Sequence, residues 1–597
     1  MRRLKRIIIK HKTAIALAVF ASIIVAFPQV YFRIDHKEIS QEIGQPIYQG
    51  IELLPDSPWS ARVREVQDGH PNFGSIYYKD GKNNPYLFQP LGSMVVGYMG
   101  KIFSLDINNT LLLSRLILTF TVFLLIYGFV FLFSRDKLVA LSSVSVLLLA
   151  ESVLSLFGIK QLVHGISPDD FLRIARPVNP AMIYVLFFGF LSFFYLFYKK
   201  TDKRWLYGIA SAVLLGLNFY NYFYTWTYLY AFGSILVLIF LIRKKWKDAL
   251  KIGSVFLGGV LLAIPYGINL YGAMIHNAYV EAGLRNGIIQ THAPIFIGFT
   301  VITALIFFLL WFPKENKNKY FFGLAFLVTP FVTMNQQLIT GKLLQVFHYH
   351  WFFHKPIAVI FILIIIFYIL NRKNLIFCKN ALAILIIGAS FAVGAFIQTA
   401  SYYKGDNDGG NVAIERQKYG PVMKWLNEHA EKEAVVFANN EISHITVIYT
   451  SLNVFYHRAG MYSLSATKER LLNIIFSFYQ FRGIGIEDAR ETFFAERGYL
   501  SSNIYGMHYR EFLGSYDAIP DEKIEEILEA YIKTLSIPTI DWLKETLAKY
   551  EVEYVVWDKK NDPDWRLEQY LFLREVAVFG NMVIYQFKKN ENPISTR

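Results

Sequence analysis

The sequence predicts a polytopic α-helical membrane protein that carries a C-terminal extracytoplasmic α/β domain. Three observations predict this fold class. Eleven apolar segments occupy the first 400 residues, and many reach the roughly 20 residues that a helix needs to cross a bilayer. Short basic loops alternate with other loops between these segments. From about residue 401 onward, the apolar runs shorten to the length of β-strands.

The composition agrees with a membrane protein. Hydrophobic residues make up 54% of the 597 residues and charged residues only 18%, whereas soluble chains carry about 25% charged residues. We expect the eleven apolar segments to form about eleven transmembrane helices. The segments are 13–32, 111–133, 138–157, 181–198, 206–219, 226–242, 252–271, 295–312, 321–334, 357–370 and 381–399.

The formal net charge is +14, but its distribution excludes a nucleic-acid partner. Residues 401–597 carry 23 Lys and Arg against 29 Asp and Glu, so the positive excess lies entirely in the first 400 residues. It is concentrated in short loops between apolar segments, where positive charge marks the cytoplasmic side of a membrane. No basic patch is left over to bind a phosphate backbone. The basic segments are 1–12, 135–137, 199–204, 243–248, 313–319 and 371–374.

This pattern predicts a multi-pass protein of the cytoplasmic (inner) membrane with its N-terminus in the cytoplasm. Because eleven is an odd number, the C-terminal domain then faces outward. We expect a transmembrane domain at 1–400 and a soluble extracytoplasmic α/β domain at 401–597. The first apolar segment is interpreted as an uncleaved anchor, with a cleaved signal peptide as the alternative. The outward-facing loops are 33–109, 158–180, 220–225, 272–294 and 335–356.

Short runs rich in Val, Ile and Tyr predict strands in the C-terminal domain, and amphipathic patterns between them predict helices. No glycine pattern for nucleotide binding occurs there. The single cysteine, Cys378, excludes an intrachain disulfide. The predicted strands are 434–437, 445–450, 554–557 and 582–587, and the predicted helices are 422–429, 523–535 and 540–550.

The large first outer loop contains the leading candidate for a catalytic residue. Asp56 stands directly before a helix start, because Trp59, Val63 and Val66 follow with the spacing of an apolar helix stripe. An acid at this place can cap the helix. It can also act as a general base that faces outward at the membrane surface. The two roles are compatible, since capping holds the carboxylate in place.

Three further residues of this loop are candidates for binding a substrate: Glu65, Lys79 and Lys82. A lysine near a lipid head group can bind phosphate as a point charge. The alternative for Glu65 is a solvated helix face, and the alternative for the two lysines is an ordinary exposed surface.

The second outer loop places four charges close to the bilayer. Asp169 and Asp170 are candidate ligands of a divalent metal, and Arg173 and Arg176 can pair with a phosphate or diphosphate. The alternative is that these four charges pair with one another across one helical turn. Charges so close to a bilayer are costly unless they are paired or functional.

The fifth outer loop contributes Lys342, Gln345 and His348 as candidates to contact a lipid-linked phosphate. His348, His350 and His354 cannot all point to one face of a strand or a helix, so their spacing is a weak indication of a metal site. The surrounding Phe, Tyr and Trp side chains are typical of an interfacial aromatic belt, which is the alternative explanation.

A longer motif runs through the first outer loop. It reads P-D-x-x-x-x-A-R-x-R-E-x-x-x-G, followed by a tyrosine pair and then by Pro-Leu-Gly. Together with the predicted topology, it resembles the first outer loop of GT-C glycosyltransferases, in the branch of the lipid A aminoarabinose transferases and protein O-mannosyltransferases. The matching residues are Pro55, Asp56, Ala61, Arg62, Arg64, Glu65, Gly69, Tyr77, Tyr78, Gln89, Pro90 and Leu91.

The resemblance implies a membrane enzyme that moves a sugar from a polyprenyl-phosphate carrier to a lipid, glycan or protein acceptor outside the membrane. It implies that Asp56 is the base and that the anomeric centre is inverted. The chain departs from the family at Ser57, where many members carry a second acid. It also has Gln89-Pro90 where many members have Lys-Pro.

Two alternatives from other functional classes remain at this point. A transporter or flippase of a lipid-linked saccharide would favour ionisable residues near mid-membrane and broken helices at a repeat interface. A catalytically inactive GT-C-like protein would act as an envelope scaffold. The enzyme hypothesis predicts that Asp56, the second-loop charges and His348 converge on one outward cavity beneath the C-terminal domain.

Overall fold

The structure is a computed structural model. It describes residues 8–38, 58–199, 203–407, 412–513, 519–536 and 539–588. Each of the eleven predicted apolar segments overlaps a helix. The helices of the N-terminal part are α1 (Lys12–Asp35), α2 (Trp59–Gln67), α3 (Leu91–Ile102), α4 (Ile107–Ser134), α5 (Lys137–Leu149), α6 (Leu156–Val163), α7 (Met182–Tyr198), α8 (Arg204–Phe219), α9 (Phe223–Ile242), α10 (Trp246–Leu262), α11 (Ile264–Met274), α12 (Tyr279–Arg285), α13 (Phe299–Trp311), α14 (Lys317–Thr333), α15 (Lys355–Arg372) and α16 (Ile376–Asn407).

Seven candidate membrane spans are long and apolar enough to cross a bilayer within the described chain, and they contain α1, α4, α7, α9, α14, α15 and α16. An eighth results if α10 and α11 form one span with a 56° bend. Pro265 in the first turn of α11 explains the break, since proline lacks a backbone donor. Helices α5, α8 and α13 have only 13, 16 and 13 residues. The count of eleven spans therefore stays a prediction.

The predicted segment 138–157 is not one continuous helix. Helix α5 ends at Leu149, and α6 begins at Leu156 with Ser155 accepting a hydrogen bond from the Gly158 backbone N–H (3.0 Å). Glu151 lies in the break and is close to two basic side chains. A buried carboxylate is more stable beside cations than within an apolar span, which explains why the chain turns here.

The basic loops lie at one end of the helical bundle. Lys137 donates to the backbone oxygen of Lys10 (2.7 Å), and Asp136 pairs with Lys379 (2.5 Å). These contacts join the N-terminal segment to the start of α5 and of α16. Three further contacts join other basic loops at the same end. The Tyr198 hydroxyl donates a hydrogen bond to the Asn318 backbone oxygen, and Lys319 and Arg243 lie over the rings of Phe133 and Phe321.

The C-terminal part forms an α/β domain around a five-stranded mixed sheet with the strand order β4-β3-β5-β7-β6. Strand β3 is parallel to β4 and β5, and the other pairs are antiparallel. The strands are β1 (Ile289–Gln290) and β2 (Lys342–Leu343), which pair between two outer loops, and β3 (Val435–Phe437), β4 (Asn453–Val454), β5 (Val552–Asp558), β6 (Leu573–Phe579) and β7 (Met582–Phe587). The helices are α17 (Gly420–His429), α18 (Asn440–Tyr449), α19 (Lys468–Phe481), α20 (Ile486–Ala495), α21 (Arg497–Tyr505), α22 (Asp521–Ser536) and α23 (Thr539–Lys549).

Both faces of the sheet are buried at its central strands, β3, β5 and β7, whereas the edge strand β6 is largely exposed. Side chains of β5 alternate: Val555 and Trp557 pack into a core that also contains Leu543 and Leu547 of α23, whereas Val556 belongs to the main core of the molecule. This period of two is the geometry of a pleated strand. The sheet is therefore packed on one side by its own helices and on the other by the core it shares with the N-terminal part.

One predicted strand is wrong. Of the predicted strand 445–450, residues 445–449 belong to helix α18, and Thr450 is the residue that follows it. Asn439 caps this helix by accepting a hydrogen bond from the Ile442 backbone N–H (3.0 Å). The helix is buried on almost all sides, so its continuous apolar run has no helical period to distinguish it from a strand. The strand pattern also missed β4 and β6, whereas the other predicted strands and helices of this domain are found.

The first outer loop and the C-terminal domain are joined by a buried arginine. Arg470 of α19 is 3% exposed, and its guanidinium group lies 3.8 Å from the ring centroid of Tyr78. It donates to both carboxylate oxygens of Asp80 (2.6 and 2.5 Å). The Val454 backbone N–H of the edge strand β4 also donates to the Tyr77 carbonyl oxygen (2.9 Å), so the loop contacts the edge of the sheet.

We expect Asp80→Asn to lower the free energy of unfolding by about 2 kcal/mol, because Arg470 loses a charged acceptor while it stays buried. Thermal unfolding of the full-length protein in detergent measures this. The matched control is Glu469→Gln, which breaks an exposed pair with Lys549 and costs less than about 0.5 kcal/mol. Equal shifts for the two variants would contradict the role given to Arg470.

Candidate functional site

The candidate site is a cavity of about 240 Å³ between the outer loops and the C-terminal domain. The first outer loop supplies one wall, from Pro58 to Phe88. Residues 285–286 and Gln345 supply a second wall, and residues 458–463 and 507–508 of the C-terminal domain close it. None of its lining residues belongs to a candidate membrane span. The cavity therefore lies outside the candidate membrane spans, next to the C-terminal domain.

Arg62 is placed in this cavity by helix α2. It follows Trp59 by three residues, so both side chains are on one face of the helix. The guanidinium carbon lies 5.0 Å from the Trp59 ring and 4.6 Å from the Phe88 ring. The side chain is 4% exposed, and its Nε and Nη1 atoms have no hydrogen-bond partner within the described ranges. Burial lowers the pKa of Arg62 to about 10, which leaves it charged at neutral pH.

Two further arginines and a histidine line the same cavity. Arg285 donates to the backbone oxygens of Ile504 (3.0 Å) and Ala466 (2.6 Å), so this outer-loop residue is fixed against the C-terminal domain. Arg458 and His508 come from the C-terminal domain itself. Among the lining residues that the structure describes there is no Asp or Glu, so the walls carry only positive charge.

The floor beside Tyr77 is uncharged. The Tyr77 ring stacks on the buried His457 ring at 4.0 Å, and His457 Nε2 lies 3.2 Å from His444 Nδ1. Burial lowers the pKa of His444 to about 3 and the pKa of His457 well below its usual range. Both rings are therefore neutral at physiological pH, and they add no charge to that of the arginines.

Asp56 lies outside the described residues, as does Ser57. Helix α2 begins at Trp59, and the preceding Pro58 lines the cavity. The predicted capping of α2 by Asp56 or Ser57 and the role of Asp56 as a base therefore stay predictions.

Glu65 and Lys82 form a buried ion pair next to this region, and neither residue lines the cavity. Their side chains are each 11% exposed and 2.8 Å apart, so Glu65 is not on a solvated helix face. Glu433 of the C-terminal domain is 3.8 Å from Lys82 and also pairs with His70. Burial raises the pKa of Glu65 to about 7, although Lys82 acts in the opposite direction. The cluster connects the first loop to the C-terminal domain.

The second-loop charges lie at a different, smaller cavity of about 20 Å³. Asp169 and Arg173 line it together with Glu151, and Lys355 is 3.6 Å from Glu151. Arg173 is 3.7 Å from Glu151 and lies on the Trp351 ring at 5.1 Å. Burial raises the pKa of Asp169, and Arg173 opposes this shift. Arg173 is therefore paired with Glu151, which lies outside the second outer loop, and the pairing of the four loop charges with one another stays a prediction.

The other predicted site residues are dispersed. His348 hydrogen-bonds to Tyr222 and stacks on Tyr224 at 4.9 Å, which fits an aromatic belt. Lys79 pairs with Glu551 of the C-terminal domain at 2.7 Å. Lys342 is exposed in strand β2. Arg176 lies over the Phe171 ring at 4.7 Å. The predicted convergence of His348 and the second-loop charges on one cavity beneath the C-terminal domain is not found.

The proposed metal ligands Asp169 and Asp170 do not fit a metal site on their own. Within the ranges that the structure describes, no group of three or more His, Cys, Asp or Glu side chains is arranged to hold a metal ion. Asp169 is instead close to the cation Arg173. No step of the chemistry proposed below uses a metal.

Of the candidates predicted from the sequence, Gln345 lines the cavity, but the charged residues that define it were not predicted. Arg62 belongs to the first-loop motif, but no role was predicted for it. No role was predicted for Arg285, Arg458 or His508 either. A signal for Arg62 was present in the sequence. Arg62 falls on the apolar stripe of α2, whereas Arg64 and Asp68 are spaced to pair on the polar face and do so at 2.9 Å. A charged residue on an apolar face requires a partner or a function.

No family model and no curated protein sequence matches the chain. Among solved structures, the chain is similar to the archaeal oligosaccharyltransferase AglB from Archaeoglobus fulgidus, in complex with an inhibitory peptide and a dolichol-phosphate. The identity is 12% and the TM-score 0.42, over 98% of this chain and 75% of that chain. A similarity of this degree says nothing about the reaction, donor or acceptor of this chain.

The raised pKa of Glu65 predicts a pH-dependent stability. Because its pKa of about 7 in the folded state exceeds the ordinary 4.5, the folded chain holds this proton more tightly than the unfolded chain. Wild type therefore loses stability relative to Glu65→Gln as the pH rises from about 4.5 to 7, by up to about 3 kcal/mol. Unfolding midpoints of both proteins at pH 5 and pH 8 measure this. A difference between the two proteins that stays constant with pH would contradict the assignment. Lys82, Asp68 and Glu433 are the charges that face Glu65.

Proposed function

We propose that this chain is a membrane glycosyltransferase of the GT-C type. It moves a sugar from a polyprenyl-phosphate donor to an acceptor on the outer side of the cytoplasmic membrane, with Asp56 as the general base. The support from the sequence is the first-loop motif and the alternation of basic loops. The support from the structure is the cavity that begins at Pro58.

The position of Pro58 is the observation that carries the proposal. Pro58 lines a cavity with three arginines and no carboxylate within the described chain. In the sequence, Asp56 precedes Pro58 by only two residues, and two residues of chain span at most about 7 Å. The proposal therefore assigns the acid to the Pro58 side of a cation-lined space, as displacement at a sugar phosphate requires.

The proposed reaction is a single displacement. The acceptor hydroxyl gives its proton to the Asp56 carboxylate, and its oxygen forms a bond to the anomeric carbon of the sugar. The bond from that carbon to the carrier phosphate breaks, and the electron pair leaves with the phosphate oxygen. Arginines at the cavity stabilise the charge that develops on the phosphate. Attack from the face opposite the leaving group inverts the anomeric centre.

The acceptor belongs to one of three classes: a lipid, a glycan or a protein. The donor lipid is anchored in the membrane, and the cavity lies beyond the spans. The sugar and its phosphate therefore meet the acceptor where the bundle ends and the C-terminal domain begins.

Transfer from radiolabelled polyprenyl-phosphate sugars in membranes that contain the full-length chain tests this function. We expect Asp56→Asn to reduce transfer by about 100-fold or more, because the general base is lost. The matched control is Asp68→Asn, in the same loop, whose carboxylate pairs with Arg64 and does not line the cavity. It should retain transfer. Unchanged transfer by Asp56→Asn would remove Asp56 as the base, and no transfer by wild type from any donor would remove the function.

A further inference from the structure

Helix α6 has an apolar surface that no other part of the described chain covers. Four of its eight residues are apolar and between 47% and 87% exposed: Leu156, Phe157, Ile159 and Val163. Gly158 is buried and Leu162 packs on the main core, so the opposite face attaches the helix to the bundle. No candidate membrane span within the described chain contains α6. Exposed apolar side chains gathered on one face indicate a contact surface for a protein or a membrane.

The neighbouring helix α16 gives the depth at which the chain leaves α5 and approaches α6. Leu149, the last residue of α5, lies against Gly394 of α16, where an added Cβ would be 2.9 Å from the Leu149 Cβ. Lys379 of α16 pairs with Asp136 at the end of the bundle that carries the basic loops. The helix rises about 22 Å from Lys379 to Gly394. Because a hydrocarbon core is about 30 Å thick, α5 ends within the depth of the membrane.

After α6, the chain returns to α16 at nearly the same depth. The Leu172 backbone N–H donates a hydrogen bond to the Gln398 side-chain oxygen (2.9 Å). Gln398 follows Gly394 by four residues, so the two contacts differ in depth by only about 6 Å. Both α16 residues belong to the candidate span Ile376–Tyr403. The chain therefore leaves and rejoins the bundle within the depth of one span, as a helix in the plane of the membrane requires.

The charges around α6 match those of lipid head groups. Between Glu151 and Asp169 the sequence has no Asp or Glu, and Lys160 is the only Lys or Arg. Lys160 is exposed, and a lysine stem can lie along an apolar surface while its ammonium group reaches a lipid phosphate. Glu151 lies close to Lys355 (3.6 Å) and Arg173 (3.7 Å), so its charge is compensated within the protein.

We propose that α6 is an in-plane membrane-contact helix, whose apolar face lies among the lipids of one leaflet and holds the second outer loop at the bilayer surface. Its partner is the phospholipid bilayer. Trp351, which contacts Arg173 of that loop at 5.1 Å, adds a partly exposed aromatic side chain of the kind found at membrane interfaces. The inference does not depend on the proposed function, because it involves no substrate.

Spin labels on the full-length protein in vesicles of phosphatidylcholine and phosphatidylglycerol test this contact. The labels are attached to Leu156→Cys and Val163→Cys, each combined with Cys378→Ser, which removes the single native cysteine. Collisions of the label with oxygen, which concentrates in lipid, are compared with collisions with a water-soluble nickel complex. We expect oxygen collisions to dominate at both positions, with the labels about 5 to 10 Å below the head groups.

The matched control is Leu571→Cys in the same Cys378→Ser background. Leu571 is a leucine of the C-terminal domain that is 89% exposed, so it resembles Leu156 in type and exposure. Its label should collide mainly with the nickel complex, because this domain lies in water. Thermal unfolding midpoints equal to that of Cys378→Ser establish that each labelled variant is folded.

The two label depths also test the orientation of α6. Leu156 and Val163 are about 10 Å apart along the helix axis, so an in-plane helix gives nearly equal depths. Depths that differ by about 10 Å would overturn the in-plane orientation. Nickel collisions that dominate at both positions would overturn the lipid contact. Labels shielded from both reagents, with spin–spin broadening that grows with the protein-to-lipid ratio, would assign this face to a second copy of the chain and overturn the proposal.

Discussion

The contact between the first outer loop and the C-terminal domain is the interaction on which the rest of the molecule depends. Arg470 lies on Tyr78 and pairs with Asp80, and the Tyr77 carbonyl oxygen accepts a hydrogen bond from the Val454 N–H of strand β4. The buried Arg470 thereby gains a carboxylate partner and the Tyr77 carbonyl oxygen gains a donor, and leaving either one unpaired would cost free energy. The cavity exists because this contact holds the two halves of its wall together.

Much of the fold follows from patterns that the sequence displays directly. A bilayer requires long apolar helices, and charged loops collect at one end, so both features are visible in composition alone. The contact of Lys137 with Lys10 and that of Asp136 with Lys379 show those loops together. Helix α18 was predicted as a strand. A segment that is buried on all sides shows neither the hydrophobic period of a helix nor that of a strand.

The site was less predictable, because it is made by contacts between distant parts of the chain. Asp56 was identified through its motif and lies outside the described residues. Glu65 and Lys82 were predicted to bind a substrate, but their side chains form an ion pair with each other at 2.8 Å. A sequence shows which residues are charged, but not which charges find partners. Arg62 is the exception, since its place on the apolar face of α2 was readable from its spacing to Trp59.

The walls of the cavity have a consequence for biogenesis. Pro58 is made early in translation, whereas His508 is made only after the complete helical bundle. Glu551, the ion-pair partner of Lys79, is synthesised later still. A ribosome therefore completes all the membrane helices before the chain has a closed cavity. Until the C-terminal domain has been synthesised, the nascent chain lacks one wall of that cavity.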